Sequence, residues 1–155
     1  MEIVKSNKPF LMVYIVLFFI ADIFSFSLIG VPLLHFLLCF YCFMLFCSTR
    51  VGILVFTTFF LVLEQFLFYG ISGFFFLYFI PLSLIGFHFR QLVDPTFMTY
   101  SMLVTTLFLQ FGVANYLIYC QVWPFFYTFS LFIANMIIIA AISFIFLYNK
   151  QGNRF

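Results

Sequence analysis

The sequence predicts an all-α polytopic membrane bundle of six transmembrane helices with both termini in the cytoplasm. Three observations carry that expectation. Six apolar stretches fill most of the 155 residues. Charged residues make up 6% of the chain, against about 25% in ordinary soluble domains, too few to cover a water-soluble fold. The basic residues Lys5, Lys8, Arg50, Arg90, Lys150 and Arg154 fall before the first stretch, between the second and third, between the fourth and fifth, and after the sixth. The other junctions, Gly30-Val31-Pro32, Tyr69 to Gly73 and Cys120 to Pro124, carry no charge. Because lysine and arginine accumulate in cytoplasmic loops, this one-sided placement orients the chain.

The elements follow in order. Span one covers about Pro9 to Ile29, with Pro9 suited to a helix start. It is too long for a signal-peptide apolar region, contains Asp22 and lacks a convincing A-x-A site, so it reads as an uncleaved span. Gly30-Val31-Pro32 forms an external turn. Span two is short, about Leu33 to Cys47, and Ser48-Thr49-Arg50 ends it inside. Span three covers Val51 to Tyr69, and Gly70-Ile71-Ser72-Gly73 breaks the chain outside. Span four runs from Phe74 to Phe89 and contains Pro81, which is expected to kink it. Asp94-Pro95 is a turn signal. Span five runs from Thr96 to Cys120. Trp123 and Pro124 mark the outer interface, and span six runs from Phe125 to Tyr148. A five-span count, with the second segment re-entrant, would put Arg50, Arg90, Lys150 and Arg154 opposite Lys5 and Lys8, against the charge bias. Six spans of about 20 residues leave no room for a soluble domain, so residues 1–155 form one membrane domain. The net charge of +2 sits on flanks facing anionic lipid, with no nucleic-acid partner implied. The 30 phenylalanines read as apolar filler.

Polar residues within the spans are the candidate site. Intramembrane acids are costly and usually face the bundle interior or a cavity. On the predicted topology Asp22, His35, Glu64, Gln110, Asn115 and Asn135 all lie in the outer half, with Gln65 beside Glu64. The inner half is nearly pure apolar until Ser83 and His88. A polar cluster, or a cavity open to the outside, is the expectation. The bland alternative is interhelical hydrogen-bond glue, each contact worth about 0.6 kcal/mol. No lysine or arginine lies at that depth. Asp22 or Glu64 is therefore expected to be protonated or hydrogen-bonded to His35, Asn115 or Gln110.

Cys39-Phe40-Tyr41-Cys42 is a C-x-x-C followed by Cys47. The spacing resembles the DsbB family of membrane disulfide-generating proteins, which place this motif at the outer end of a span and carry a second cysteine pair in an external loop. Here the pair reads as mid-span and only Cys120 is external, so Cys39 and Cys42 are expected to be reduced and structural. No His/Cys/Asp set has zinc-type spacing. There is no hydrolase triad or phosphate loop, and Gly70-Ile71-Ser72-Gly73 reads as a turn. Neither a catalytic residue nor a cofactor site is assigned, and an enzyme is not expected.

Arg50 stands at the cytoplasmic end of one span, Glu64 follows in the next, Ser72-Gly73 supplies a turn, and Arg90 ends the span after it. In this pattern the stretch from Val31 to Arg90 resembles the MreD family of rod-shape-determining membrane proteins. That family usually has aspartate where Glu64 stands, carries several glycines along the third span where only Gly52 occurs here, and places its Ser/Gly turn a few residues earlier. The resemblance implies a non-enzymatic subunit of the cell-wall elongation machinery in the inner (cytoplasmic) membrane. Its partners would be MreC-like proteins and wall synthases, with Arg50 and Arg90 as cytoplasmic anchors. MreD-like proteins also resemble the substrate-binding subunits of vitamin transporters, so a small-molecule-binding subunit is the alternative. A transport subunit needs a cavity of about 300 Å³ or more lined by convergent polar groups. A scaffold needs packed helices and an exposed groove.

Overall fold

The computed structural model describes residues 8–29, 34–47, 51–69, 73–89, 92, 94–109 and 125–152. The described residues form an all-helical bundle: α1 (Lys8–Ile29), α2 (Phe36–Cys47), α3 (Val51–Tyr69), α4 (Gly73–Phe89), α5 (Pro95–Leu107) and α6 (Phe125–Gly152). Long apolar runs form helices because each backbone N–H and C=O then finds its partner within the segment, as a water-free medium requires. The few hydroxyls inside them follow the same rule. Thr57, Thr58, Ser83, Thr105 and Ser130 each donate to the carbonyl four residues back, at 2.7–2.8 Å.

Stretches of α1, α3 and α6 (Phe10–Ile29, Val51–Phe68 and Phe126–Ile145) are long and apolar enough to cross a membrane. Their outward faces expose large apolar side chains, among them Phe24, Leu28, Val55, Phe59, Phe126 and Ile137. Surfaces of this kind need a hydrocarbon neighbour, and the chain is a membrane-embedded helical bundle.

Among the described residues the centre of the bundle is α2, which packs against the five other described helices. Every residue from Leu37 to Phe46 is buried, the expected fate of a helix that is apolar all round. Aromatic pairs fix the directions of its neighbours. Phe18 meets both Phe36 and Phe40, while Asp22, one turn further along α1, reaches back to Phe36 and Leu37, so α1 and α2 are antiparallel. Phe19 meets Phe60 at 5.1 Å and Phe26 meets Phe68 at 4.5 Å, so α1 and α3 are parallel. Tyr41 contacts Phe79 at 5.0 Å, and Phe46 contacts Gly86, so α2 and α4 are parallel. The chain reverses at each of these helices. At Gly86 the α4 backbone lies against α2 side chains: a Cβ there would lie 2.9 Å from Phe46 Cζ and 3.3 Å from Leu45 Cδ2. Gly52, by contrast, faces open space.

The helix bounds differ from the sequence expectation in informative places. Helix α2 starts at Phe36 rather than Leu33, leaving His35 just outside it. Its 12 residues span only about 18 Å at 1.5 Å per residue. Helix α4, by contrast, keeps the expected extent and contains Pro81. Helix α5 starts on an Asp94 cap with Pro95 at its first position, where a missing N–H costs nothing. Asp94 Oδ1 accepts from the amides of Thr96 at 2.8 Å and Phe97 at 3.2 Å, and from the Thr96 hydroxyl. The Thr96 hydroxyl first, then the two amides, hold the Asp94 carboxyl below the usual aspartate range. The charge-bearing positions Lys5, Arg50, Arg90 and Arg154, and the expected turns at 30–32, 70–72 and 120–124, lie outside the described residues.

Candidate functional site

The first turn of any helix leaves backbone N–H groups without an intrahelical partner. For α2 that turn lies inside the bundle. Helix α1 continues from Asp22 to Ile29 and α3 from Glu64 to Tyr69, which puts the turn on the order of 8–10 Å below the ends of its neighbours. Water does not serve these amides, so other helices do.

Asp22 of α1 takes two of them. Its Oδ1 accepts from Phe36 N at 2.7 Å and its Oδ2 from Leu37 N at 2.9 Å. This is a helix cap supplied by another helix. The Asp22 oxygens also face the positive end of the helix dipole. Asn135 of α6 takes the third amide: His35 N donates to its Oδ1 at 2.9 Å. The Asn135 side chain is aimed by its own Nδ2, which donates to Leu131 O at 2.8 Å. The His35 carbonyl accepts the first helical bond, from Cys39 N at 3.0 Å.

Glu64 of α3 completes the cluster. His35 Nδ1 and Glu64 Oε1 are 3.4 Å apart and both residues are almost fully buried. Glu64 Oε2 has no hydrogen-bond partner among the described residues, and its carboxyl is an electrostatic neighbour of Asp22. Like charges repel in a dry core, and of the two carboxyls it is Asp22 at which the amides of Phe36 and Leu37 point. Gln65, beside Glu64, is also buried.

The structure therefore brings Asp22, His35, Glu64 and Asn135 together around the start of α2. Gln110 and Asn115 lie outside the described residues, as do Arg50 and Arg90. The acids' expected partners were the side chains of His35, Asn115 and Gln110. Asp22 instead binds backbone amides, which carry no mark in the sequence, while Glu64 does meet His35. Cys42 lies mid-helix as expected, whereas Cys39 is in the first turn of α2, and its thiol approaches Asn135 O at 3.5 Å and Oδ1 at 3.6 Å. Cys39 and Cys42 are free and buried. Among the described residues no group of three or more His, Cys, Asp or Glu has metal-holding geometry.

A second feature lies lower in the bundle. A groove of about 570 Å³ runs between α3 and α4, with Tyr41 and Leu45 of α2 as its floor. Val55, Phe59, Ile80 and Leu84 line its rim and are exposed. The lining is apolar except for three hydroxyls. Tyr41 of α2, Thr58 of α3 and Ser83 of α4 all line the groove. Sequence reading missed this trio because back-bonded serines and threonines, and a tyrosine in an apolar run, look like ordinary span residues.

No family model matches this chain, and no curated protein or solved structure does either. The fold and the site define a membrane-embedded helical bundle whose buried polar residues hold a central half-length helix in place.

Proposed function

We propose that the chain is a non-enzymatic membrane subunit, a scaffold that presents packed helices to partner membrane proteins. One observation carries this reading. Asp22 and Asn135 spend their acceptors on the α2 N-terminus, while an open feature among the described residues is an apolar groove. Buried polar groups used in this way fix helix packing. A small-molecule transport subunit would need a cavity lined by convergent polar groups, and the groove offers three hydroxyls in an apolar wall. In the fuller form of the proposal the subunit belongs to a cell-shape or wall-elongation complex in the inner membrane, with MreC-like and wall-synthase partners. That assignment rests on the resemblance over Val31 to Arg90 alone.

The proposed topology is six passes with cytoplasmic termini. Support comes from the alternation of α1, α2, α3 and α4. With α1 and α3 parallel and α2 antiparallel between them, the chain returns through α2 and does not simply dip and leave on the same side. Cysteine substitution at Ser48 and Ser72 tests the orientation. An impermeant external reagent is expected to label position 72 and not 48, and the opposite pattern would invert the protein. For the scaffold reading, Glu64→Gln keeps hydrogen-bonding capacity and Glu64→Leu removes it. The glutamine variant is expected to retain co-purifying membrane partners, and the leucine variant to lose stability and partners together. Loss of function in a Glu64→Gln protein that is stable and still carries its partners would favour a charge-dependent transport role instead.

A further inference from the structure

Two acids lie inside the bundle at one level, and the bundle treats them differently. The level follows from ring contacts between α1 and α3. Phe19 meets Phe60 and Phe26 meets Phe68, and Asp22 and Glu64 lie between these two contacts on their respective helices. Both are buried, at 1% and 0% exposure. Each Asp22 oxygen accepts a backbone amide of α2, at 2.7 and 2.9 Å. Those amides cannot leave without unwinding the first turn of α2, so Asp22 is a structural group. Glu64 has no such hold. Its Oε1 lies 3.4 Å from His35 Nδ1, beyond the usual N–H···O range of about 2.7–3.2 Å. Its Oε2 has no hydrogen-bond partner among the described residues.

A buried polar atom left without a partner costs about 1–3 kcal/mol, and more when the group is charged. An ionised carboxyl only accepts, whereas a protonated one also donates, so a proton changes what Glu64 can offer its neighbours. The titratable groups around it are few. Helix α3 packs chiefly on α1 and α2. Helix α1 brings Asp22 to this level, and the start of α2 brings His35 and Cys39. The Cys39 thiol is turned to Asn135 of α6, which does not titrate. Lys8, about 21 Å along α1 from Asp22, is the single lysine or arginine in α1, α2 and α3. Among the described residues no group of three or more His, Cys, Asp or Glu has metal-holding geometry, so the geometry favours a proton over a metal ion. Glu64 stands about 8 Å from the end of α3 at Tyr69, a short way for a proton to travel.

We propose that Glu64 is a proton-binding site built into the folded bundle, taking up and releasing a proton beside His35 while Asp22 holds the start of α2. The proton comes from the aqueous phase and forms one O–H bond on the Glu64 carboxyl, and nothing else is transferred. The site goes beyond the scaffold reading: it makes the contact between α3 and the residue that leads into α2 one that acidity changes.

Isotope-edited infrared spectroscopy of the full chain in liposomes tests it. The chain holds two glutamates, Glu2 and Glu64, so Glu2→Gln leaves Glu64 as the sole glutamate without touching the site. With ¹³C-carboxyl glutamate in that variant, the C=O band of a neutral carboxyl is expected to grow as pH falls and to fade reversibly as pH rises. Its full amplitude is expected to correspond to one carboxyl per chain. The band is expected to shift in D₂O and to be lost when Glu64→Gln is added. His35→Gln is expected to move the midpoint of the titration. Amide exchange run in parallel is expected to show Phe36 and Leu37 protected throughout, so that the proton enters a folded bundle. A labelled band that never changes while those amides stay protected would overturn the proposal. So would a band that changes only after their protection is lost, or a midpoint indifferent to His35→Gln. Partner retention by Glu64→Gln tests the scaffold reading separately, so a non-titrating Glu64 with retained partners sinks the proton site alone.

Discussion

Asp22 provides the sharpest test of how the bundle is held. Its two oxygens accept the amides of Phe36 and Leu37 at 2.7 and 2.9 Å, and the residue is 1% exposed. Asp22→Ala leaves two N–H groups without acceptors inside the bundle. Each orphaned donor costs about 1–3 kcal/mol, so the alanine variant is expected to lose about 2–6 kcal/mol. Asp22→Asn keeps one oxygen and turns an NH₂ group toward the other amide. One orphaned donor at about 1–3 kcal/mol puts it near the lower half of that range. Equilibrium unfolding of the purified protein in mixed micelles measures the loss. Hydrogen exchange locates it, with the Phe36 and Leu37 amides losing protection before the rest of α2. Two average interhelical hydrogen bonds would be worth only about 1.2 kcal/mol. If Asp22→Ala costs less than that and those amides stay protected, the cap is not what seats α2 and the reasoning fails.

The remaining predictions concern other parts of the bundle. Changing Cys39 and Cys42 together to alanine is expected to leave partner binding intact and lower stability modestly. A mixed disulfide trapped on either thiol, with loss of function in the single variants, would revive a redox role. Gly86→Ala pushes a methyl against the movable end of Phe46 and is expected to cost little, whereas Gly86→Leu should cost about 1–3 kcal/mol by overpacking; equal stabilities in thermal melts would mean that α4 does not press on α2 there. At Asp94 the carboxyl lies below its ordinary range, so its contribution is present above the unfolded-state value and disappears as pH falls through the depressed folded value. Exchange protection of the Thr96 and Phe97 amides is expected to weaken in that acidic window. Asp94→Asn, also a good cap, should remove the pH dependence, and a persisting dependence would assign it to another group.

How much of this was legible in the sequence varies with the kind of information involved. The bounds of α3 and α6's start at Phe125 follow from where apolar runs begin and stop, because in a water-free medium the backbone forces any long apolar run into a helix. Asp22, His35, Glu64 and Asn135 stand out for the same reason, since polar side chains in such runs must find partners inside the bundle. The sequence by itself thus determined a membrane-embedded set of helices and most of the polar residues that hold them. It did not determine which helix sits at the centre. The described helices are apolar nearly all round, so no face is marked for burial, and α2 becomes the hub only when its neighbours close around it. The partner of Asp22 was equally hidden, because a backbone amide looks the same under every side chain. What exposes it is the recessed start of α2, a matter of relative height among helices. The hydroxyl trio of Tyr41, Thr58 and Ser83 comes from three separate helices and shares a surface only where the groove forms. Burial against water is written residue by residue along the chain; the choice of neighbour is made by packing in three dimensions, and there the tertiary structure decided.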